Sequence, residues 1–288
     1  MVIFLKTREI GICFGIATLL ACFAPTARAL DKLTDLLDID PKKFNRPTII
    51  DNKWMPLKPG TQLVFAGTTV DDNGKRKPHS IVFTVTDLVK KINGIDVVVV
   101  WDRDIADGKL EESELTFFAQ DDDGNVWHLG QYRELYEGTD LVGAQAWMVG
   151  HLNGAKAGIM MKADPKQGTP SYSQGYAPPP FNWADRGQVF KTGQKVKVPA
   201  GTYENVLVTE EWALSEASGA RQLKYYAPGV GNIKVGYTGN DEKKEMLDLV
   251  KVVQLSPQEM DEVRAEALKL DGRNYVYGST EKAQRRPQ

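Results

Sequence analysis

Four closely spaced oxygen-bearing side chains stand between two apolar runs near the middle of the chain, namely Asp121, Asp122, Asp123 and Asn125. Carboxylate and amide oxygens suit a hard cation, so Asp121, Asp123 and Asn125 are candidate calcium ligands. The EF-hand spacing is absent, however, and Asp and Asn beside Gly124 are typical of a hairpin turn that bonds its own backbone. The sequence therefore favours a turn and leaves calcium as the alternative; no other cofactor is predicted.

A second acidic group, Asp102, Asp104 and Asp107, poses the same choice between a cation site and a structural role. Asp102 and Asp104 alternate along a predicted strand, so they share one face of the sheet. We interpret that face as solvated.

Other sequence signals for catalysis or metal binding are weak. None of His79, His128 and His151 has partners at metal-ligand spacing, and the H-E-x-x-H, P-loop, dinucleotide and nucleophile-elbow patterns are missing. Soft ligands at Met148, His151, Met160 and Met161 would suit copper. Methionine in a β-core is the commoner situation, and we prefer it.

Aromatic side chains give the better indication of binding. Four of them, Tyr172, Tyr176, Phe181 and Trp183, crowd a proline-rich stretch, and Trp127 opens a predicted strand. Aromatics on a proline-stiffened loop can cover a cavity mouth or stack on a ligand, and they can equally pin a long loop to the sheet. We take these five residues as candidate ligand contacts.

The first 29 residues have the three parts of a secretory signal peptide. Basic residues precede an apolar run at Ile10–Phe23, which is too short to span a bilayer, and Ala27 and Ala29 form an A-x-A cleavage site. We expect cleavage after Ala29 and a periplasmic or secreted protein. Acylation of Cys22 as a lipoprotein is the alternative.

Removal of this leader would leave a mature chain without cysteine, because Cys13 and Cys22 both lie within it. Disulfides and thiolate metal sites are then excluded. The leader carries Lys6, Arg8 and Arg28 against Glu9, so its loss takes the formal charge from −2 to −4. Mild acidity gives no reason to bind nucleic acid, and no other segment is apolar enough to span a membrane.

Residues 61–255 alternate with period two between tight turns, which predicts an antiparallel meander without helical crossovers. The predicted strands include Thr61–Val70, Lys109–Gln120 and Arg221–Ala227, and Asn93-Gly94 and Asp107-Gly108 are hairpin signals. A long exposed loop is predicted near residues 162–185. The expected fold class is mainly β, a curved half-barrel or open barrel.

The two ends of the mature chain have their own signals. Leu33, Leu36 and Leu37 predict a short N-terminal helix before an extended lead-in to residue 60. A capping box at Ser256 starts a predicted C-terminal helix over residues 256–272, with Met260, Val263, Ala267 and Leu270 as its apolar stripe. Residues 278–288 are polar and expected to be disordered.

Several phrases together resemble an uncharacterised family of secreted bacterial β-proteins over residues 45–255. They are PLKPGT at Pro56–Thr61, AQDDDGNVW at Ala119–Trp127, GIM at Gly158–Met160, VPAG at Val198–Gly201 and YYAPGVG at Tyr225–Gly231. The last third is also similar, more weakly, to lipoprotein-carrier-like half-barrels around an apolar cavity. The resemblance implies acids where this chain has Gln131 and Gly175, so Gln131 joins the candidate ligand contacts.

These observations predict a non-enzymatic binder of an apolar or amphipathic small ligand. A metal-dependent or carboxylate-based hydrolase or isomerase, and a structural or interaction module of the cell envelope, remain the two alternatives.

Overall fold

The computed structural model describes residues 36–71, 73–151, 154–179, 183–215, 219–274 and 280–286. The predicted signal peptide, including Cys22 and Ala29, lies outside the described residues. Within these ranges the chain forms one α-helix, α1 (Pro257–Arg273), and fourteen strands. The strands are β1 (Thr61–Val70), β2 (Arg76–Ile92), β3 (Ile95–Ala106), β4 (Lys109–Gln120), β5 (Val126–Glu137), β6 (Asp140–Met148), β7 (Lys156–Met161), β8 (Tyr172–Ala177), β9 (Trp183–Val198), β10 (Gly201–Ala213), β11 (Arg221–Ala227), β12 (Gly231–Thr238), β13 (Met246–Gln254) and β14 (Gln284–Arg285).

The mainly β, antiparallel character predicted from period-two alternation is confirmed. Strands β1, β4 and β11 have the predicted bounds. The hairpin signals act as expected, since Asn93 and Gly94 have φ of 49° and 79°, and the Asp107-Gly108 turn has 49° and 74°. Two successive residues with positive φ form the turn whose twist matches that of the flanking strands.

The sheet closes on itself, so the predicted half-barrel or open barrel is wrong. Strand β1 pairs with β13 on one side and with β2 on the other. Twelve strands thereby form a ring in the order β1-β13-β12-β11-β10-β9-β8-β7-β5-β4-β3-β2, with β6 and β14 attached outside it. Alternation along single strands does not report closure, which depends on pairing between segments nearly 200 residues apart.

Alternate residues of β3 separate the barrel interior from its outer face. Val98 and Val100 pack in an interior cluster with Phe118. Their neighbours Val97 and Val99 belong to an outer cluster that includes residues of α1. Because side chains alternate across a strand, Asp102 follows Val100 into the interior.

Helix α1 packs against the outer face of the barrel. Ser256 and Glu259 form the predicted capping box, with bonds of 3.3 Å from Glu259 N to Ser256 Oγ and 2.7 Å from Ser256 N to Glu259 Oε2. The predicted apolar stripe is buried at all four positions, Met260, Val263, Ala267 and Leu270. Burying each large apolar side chain contributes roughly 1.5–3 kcal/mol.

The predicted short N-terminal helix is not seen in the described residues. Residues 36–40 are non-helical, and a 3-10 helix covers only Pro41–Lys43, where Asp40 Oδ1 accepts a hydrogen bond from Lys42 N at 3.0 Å. Leu33 lies outside the described residues. The described helix is not long and apolar enough to cross a membrane.

Two segments predicted to be irregular contain strands. The long loop expected near residues 162–185 holds β8, which pairs with β7 and β9 and is largely buried. The expected disordered tail holds β14, which pairs with Leu88 and Val89 of β2. Glycine, serine and proline are typical of loops, so the sequence did not predict β8. The tail is so polar that the sequence did not predict its two-residue strand either.

Candidate functional site

A cavity of about 470 Å³ lies inside the barrel. One part of its wall is apolar and includes Met55, Leu57, Phe118, Met160 and Tyr226. Met55 and Leu57 belong to the lead-in before β1. The lead-in packs against the interior cluster, which also contains Val126 and Met161. The lead-in therefore supplies apolar surface that the ring of strands alone would lack.

The rest of the wall is acidic. Among the described residues that line it, eight are acidic and two are lysines, Lys224 and Lys243. The acids are Asp102, Asp104, Glu112, Glu114, Asp185, Glu211, Asp241 and Glu245. The interpretation of Asp102 and Asp104 as a solvated face is therefore wrong: period-two alternation separates two faces but does not say which one a closed barrel encloses.

Local ion pairs balance part of this charge. Lys224 Nζ lies 3.0 Å from Glu211 Oε2, and the neighbouring carboxylates raise the pKa of Lys224 although burial alone would lower it. His79 bridges Asp104 and Glu245, with His79 Nδ1 3.0 Å from Glu245 Oε1. Burial opposes the charge on His79, but both carboxylates raise its pKa to about 9.

Asp102 on β3 and Glu114 on β4 are opposite each other in the sheet register. Burial, followed by the charges of Asp104 and Glu112, raises the pKa of Asp102 to about 8. Burial and the neighbouring acids raise the pKa of Glu114 well above its ordinary value. Burial beside like charges thus favours the protonated form of both carboxyl groups.

Several buried polar atoms on the cavity wall have no hydrogen-bond partner among the described residues. Among them are Asp102 Oδ1, Thr116 Oγ1, Gln174 Nε2 and Trp183 Nε1. Gln174 is only 3% exposed. An unsatisfied buried polar atom costs about 1–3 kcal/mol, so these atoms provide a polar surface that a ligand can satisfy.

His128 adds a neutral aromatic ring to the wall. Burial lowers its pKa to about 4, and hydrogen bonds with the backbone of Gln174 and Gly130, which raise the pKa, offset only part of this effect. Its ring lies 5.2 Å from that of Phe118 and 4.9 Å from that of Trp147, measured between centroids. The imidazole is therefore suited to packing and hydrogen bonding rather than to carrying charge.

The cavity brings together two of the six predicted ligand contacts, Gln131 and Trp183. Trp127 instead belongs to the outer cluster, where its ring packs on Phe44 and its Nε1 donates to Asp121 Oδ2 at 2.7 Å. Tyr172 is buried beneath Lys162 Nζ, 4.5 Å from the ring centroid, and is absent from the described lining. Tyr176 is half-buried on β8 and also off that lining, and Phe181 lies outside the described residues.

The acid-rich turn at residues 121–125 anchors the lead-in. Asp121 accepts hydrogen bonds from Asn125 N, Asn125 Nδ2 and Trp127 Nε1 at 2.7–2.9 Å. Asp122 accepts two from Asn45, at 3.0 and 2.7 Å, whereas the Asp123 side chain is exposed. These contacts favour the turn interpretation, because calcium at Asp121 would displace its present donors; calcium stays a prediction here.

Metal chemistry has little support elsewhere in the part of the chain that is described, where no three His, Cys, Asp or Glu side chains are grouped to hold a metal ion. Met148 and Met161, two of the copper candidates, are buried in different hydrophobic clusters. Sequence reasoning missed the acids at positions 112, 114, 185, 211, 241 and 245. They lie on β4, β9, β10 and the connection between β12 and β13, four segments that only barrel closure brings together.

No family model matches this chain, and no curated protein matches it. Among solved structures, a Bacteroides fragilis protein described as exported, with a YmcC-like fold, aligns at 16% identity over 70% of this chain and 99% of its own, with a TM-score of 0.42. A Parabacteroides distasonis protein described as a lipoprotein aligns at 12% identity over 70% of this chain and 100% of its own, with a TM-score of 0.38. The barrel assignment accordingly rests on the strand pairing within this chain.

Proposed function

We propose that this chain is an exported binding protein that holds an apolar or amphipathic small molecule inside its barrel. The observation that carries the proposal is the cavity of about 470 Å³, in which an apolar wall faces buried polar atoms without protein partners. This volume is within the range of roughly 300–1,000 Å³ typical of small-molecule sites. A filled barrel core would have argued against it.

Gln131 and Trp183 are the predicted residues that contact the ligand in this proposal. Gln131 is buried on β5, in register with Thr116, and can both donate and accept. Trp183 offers an aromatic face and an indole N–H. The lead-in residues Met55 and Leu57 supply the apolar end.

Binding inside the barrel is tested with Nile red, a neutral apolar dye, whose fluorescence rises on transfer from water. Met160→Trp adds bulk to the cavity wall and should weaken Nile red binding at least tenfold. Met246→Trp makes the same change on β13 at a side chain that is 45% exposed, and should leave binding unchanged. Equal affinity for the two variants, with both folded, would place the dye outside the barrel and defeat the proposal.

Export is the second part of the proposal, and it rests on the signal peptide. Cleavage after Ala29 gives a mature mass beginning at Leu30, whereas the lipoprotein alternative gives an acylated chain beginning at Cys22. Intact mass spectrometry of the protein from its native host distinguishes the two. A mass that retains the first 29 residues would contradict both.

One observation favours the carboxylate-based hydrolase or isomerase as a second candidate. The pKa of Asp102 is raised to about 8, close to the value that suits a general acid near neutral pH. A screen of ester, amide and glycoside substrates should then find a turnover that Asp102→Asn removes. Activity that survives this substitution would assign the reaction to another site or to a contaminant.

A further inference from the structure

The carboxyl groups inside the barrel outnumber the cations that could neutralise them. Glu211 pairs with Lys224, Asp104 and Glu245 share His79, and Glu112 lies 3.5 Å from Arg133 Nη1. No ion pair reaches Asp102 or Glu114 among the described residues. These two acids are opposite each other on β3 and β4. Glu114 is in turn opposite Arg133 on β5, whereas the other neighbour of Asp102 in the register is Phe83, so Asp102 has no cation opposite it.

Gln174, on β8, lines the same cavity and gives an independent indication of a ligand. Its side chain is 97% buried, and its Nε2 has no acceptor within the described part of the chain. A Cβ at Gly187 would lie 3.0 Å from this nitrogen, so the glycine leaves room for the amide. A donor held in this way is suited to an oxygen or nitrogen acceptor on a bound molecule.

An organic ammonium fits this position better than a metal ion does. No three acidic or histidine side chains of the described residues are grouped around a common point, which a divalent metal would require. An ammonium group needs fewer partners, because each of its N–H bonds donates along one direction to a carboxylate oxygen. The apolar wall at Phe118 and Tyr226 then accommodates a hydrocarbon portion.

We propose that the barrel selects amphiphiles whose polar end is an ammonium group, which Asp102 and Glu114 hold while the apolar end lies against Phe118 and Tyr226. This inference rests on the proposed binding function and names the class of ligand. Asp102→Asn with Glu114→Gln removes the recognition but keeps the shape of the site.

Binding of the ammonium group is coupled to proton release. The charged and titratable groups that act on this pair are listed by strand: Asp104 and Arg103 on β3, Glu112 on β4, which also shares a hydrogen bond with Glu114, Arg133 on β5 and Lys224 on β11. A bound cation stabilises the ionised carboxylate, so a proton passes from the carboxyl group to solvent. Affinity for an ammonium amphiphile therefore rises as the pH increases from 6 to 8.

The test compares decylamine, 1-decanol and decanoate as competitors of Nile red on the mature protein. These probes share one chain length and differ in the charge of the polar end. Decylamine should bind at least tenfold more tightly than 1-decanol, and decanoate most weakly. Its ammonium group stays charged from pH 6 to 8, as a lysine side chain does, so its affinity should rise over this range while that of 1-decanol stays constant.

The double variant Asp102→Asn/Glu114→Gln should reduce decylamine affinity to that of 1-decanol and abolish its pH dependence. The matched control Glu137→Gln/Asp140→Asn makes the same two changes at exposed positions of the β5–β6 hairpin and should bind as the wild type does. Equal binding of decylamine and 1-decanol by the wild type would overturn the ammonium assignment alone. Failure of all three probes and of Nile red would overturn the binding function itself. If the double variant does not fold, the pH dependence of wild-type binding decides the question.

Discussion

At the scale of single residues, Asp102 shows how position in a closed barrel changes chemistry. The same residue on an outer face would be solvated and ionised at neutral pH. Inside, burial and the negative charges of Asp104 and Glu112 favour the protonated acid and raise the pKa to about 8. Asp102 therefore binds a proton more tightly in the folded chain than in the unfolded chain.

The first prediction concerns stability against pH. The unfolded chain loses the Asp102 proton near pH 3.9 and the folded chain near 8, so this residue destabilises the fold progressively as pH rises between these values. Asp102→Asn should raise the free energy of unfolding at pH 8 by at least about 1.4 kcal/mol, the value of one pKa unit, with little change at pH 4. Urea unfolding at both pH values measures this.

Asp140→Asn supplies the control, since it removes an exposed carboxyl group outside the cavity. It should change the free energy of unfolding by the same amount at pH 4 and pH 8. If Asp102→Asn raises the free energy of unfolding equally at pH 4 and pH 8, Asp102 is ionised in the folded chain and the prediction is wrong.

Gln131 and Gly175 show what could be foreseen at single positions. The sequence identified both as departures from a resembling pattern, and Gln131 does lie on the cavity wall. At Gly175, φ is +139° and a Cβ would lie 2.8 Å from Trp147 Cη2, so the indole fills the space of an acidic side chain. Which residues converge from distant strands could not be foreseen, because convergence follows from closure.

At the scale of elements, local signals predicted strands and the helix well where turns and caps have strong side-chain preferences. Asn-Gly and Asp-Gly turns located the hairpins, and the capping box located the start of α1. The side of the sheet on which α1 packs follows from tertiary contacts. An ion pair fixes its last turn: Arg273 contacts the fully buried Glu134 of β5 through two bonds of 2.6 and 2.8 Å.

The second prediction is that Arg273→Leu destabilises the barrel by about 2 kcal/mol. Breaking a fully buried pair costs roughly 3–5 kcal/mol, and the 41% exposure of the Arg273 side chain reduces this value. Burial alone would raise the pKa of Glu134, but bonds from Arg273, Tyr132 and Tyr136 lower it. This contribution is therefore present at neutral pH and is lost as the pH falls through the acid range.

Chemical denaturation at pH 7 and pH 3 measures the effect of Arg273→Leu. Arg273→Lys keeps the charge but loses the two-bond geometry, so its stability should lie between those of the wild type and Arg273→Leu. Equal stability of Arg273→Leu and the wild type at pH 7 would show that solvent satisfies Glu134 without the arginine.

The third prediction concerns the C-terminal segment. Lys90 Nζ bonds Asp271 Oδ1 at 2.8 Å and Glu281 O at 2.7 Å, and Ala283 N donates to Asp271 Oδ2 at 2.8 Å. Deleting residues 280–288 removes two partners of this buried pair and should cost about 2 kcal/mol. Calorimetry compares this deletion with a deletion of residues 287–288 alone. Equal melting temperatures would show that residues 280–286 do not stabilise the fold.

At the scale of the whole molecule, closure is what creates a site. It encloses the acidic side chains of strands far apart in sequence, and it leaves β1 without a free edge. Eight residue pairs join β1 to β13 and nine join it to β2. In an open half-barrel one of these two ladders would be absent, and the interior would be a groove in which Asp102 could be hydrated and ionised.

Hydrogen exchange distinguishes the two architectures. Consecutive amides of an antiparallel strand point toward opposite neighbours, so both sets in β1 are bonded only when the barrel is closed. Gln62 and Leu63, which pair with both neighbours, should exchange at rates within about tenfold of each other. Strand β6 provides the internal comparison, because among the described residues it pairs with β5 alone, and its exposed Ala144 and Gln145 should differ by a much larger factor. Rapid exchange at alternate positions of β1 would mean that this edge opens in solution, and the raised pKa of Asp102 would then fall toward its ordinary value.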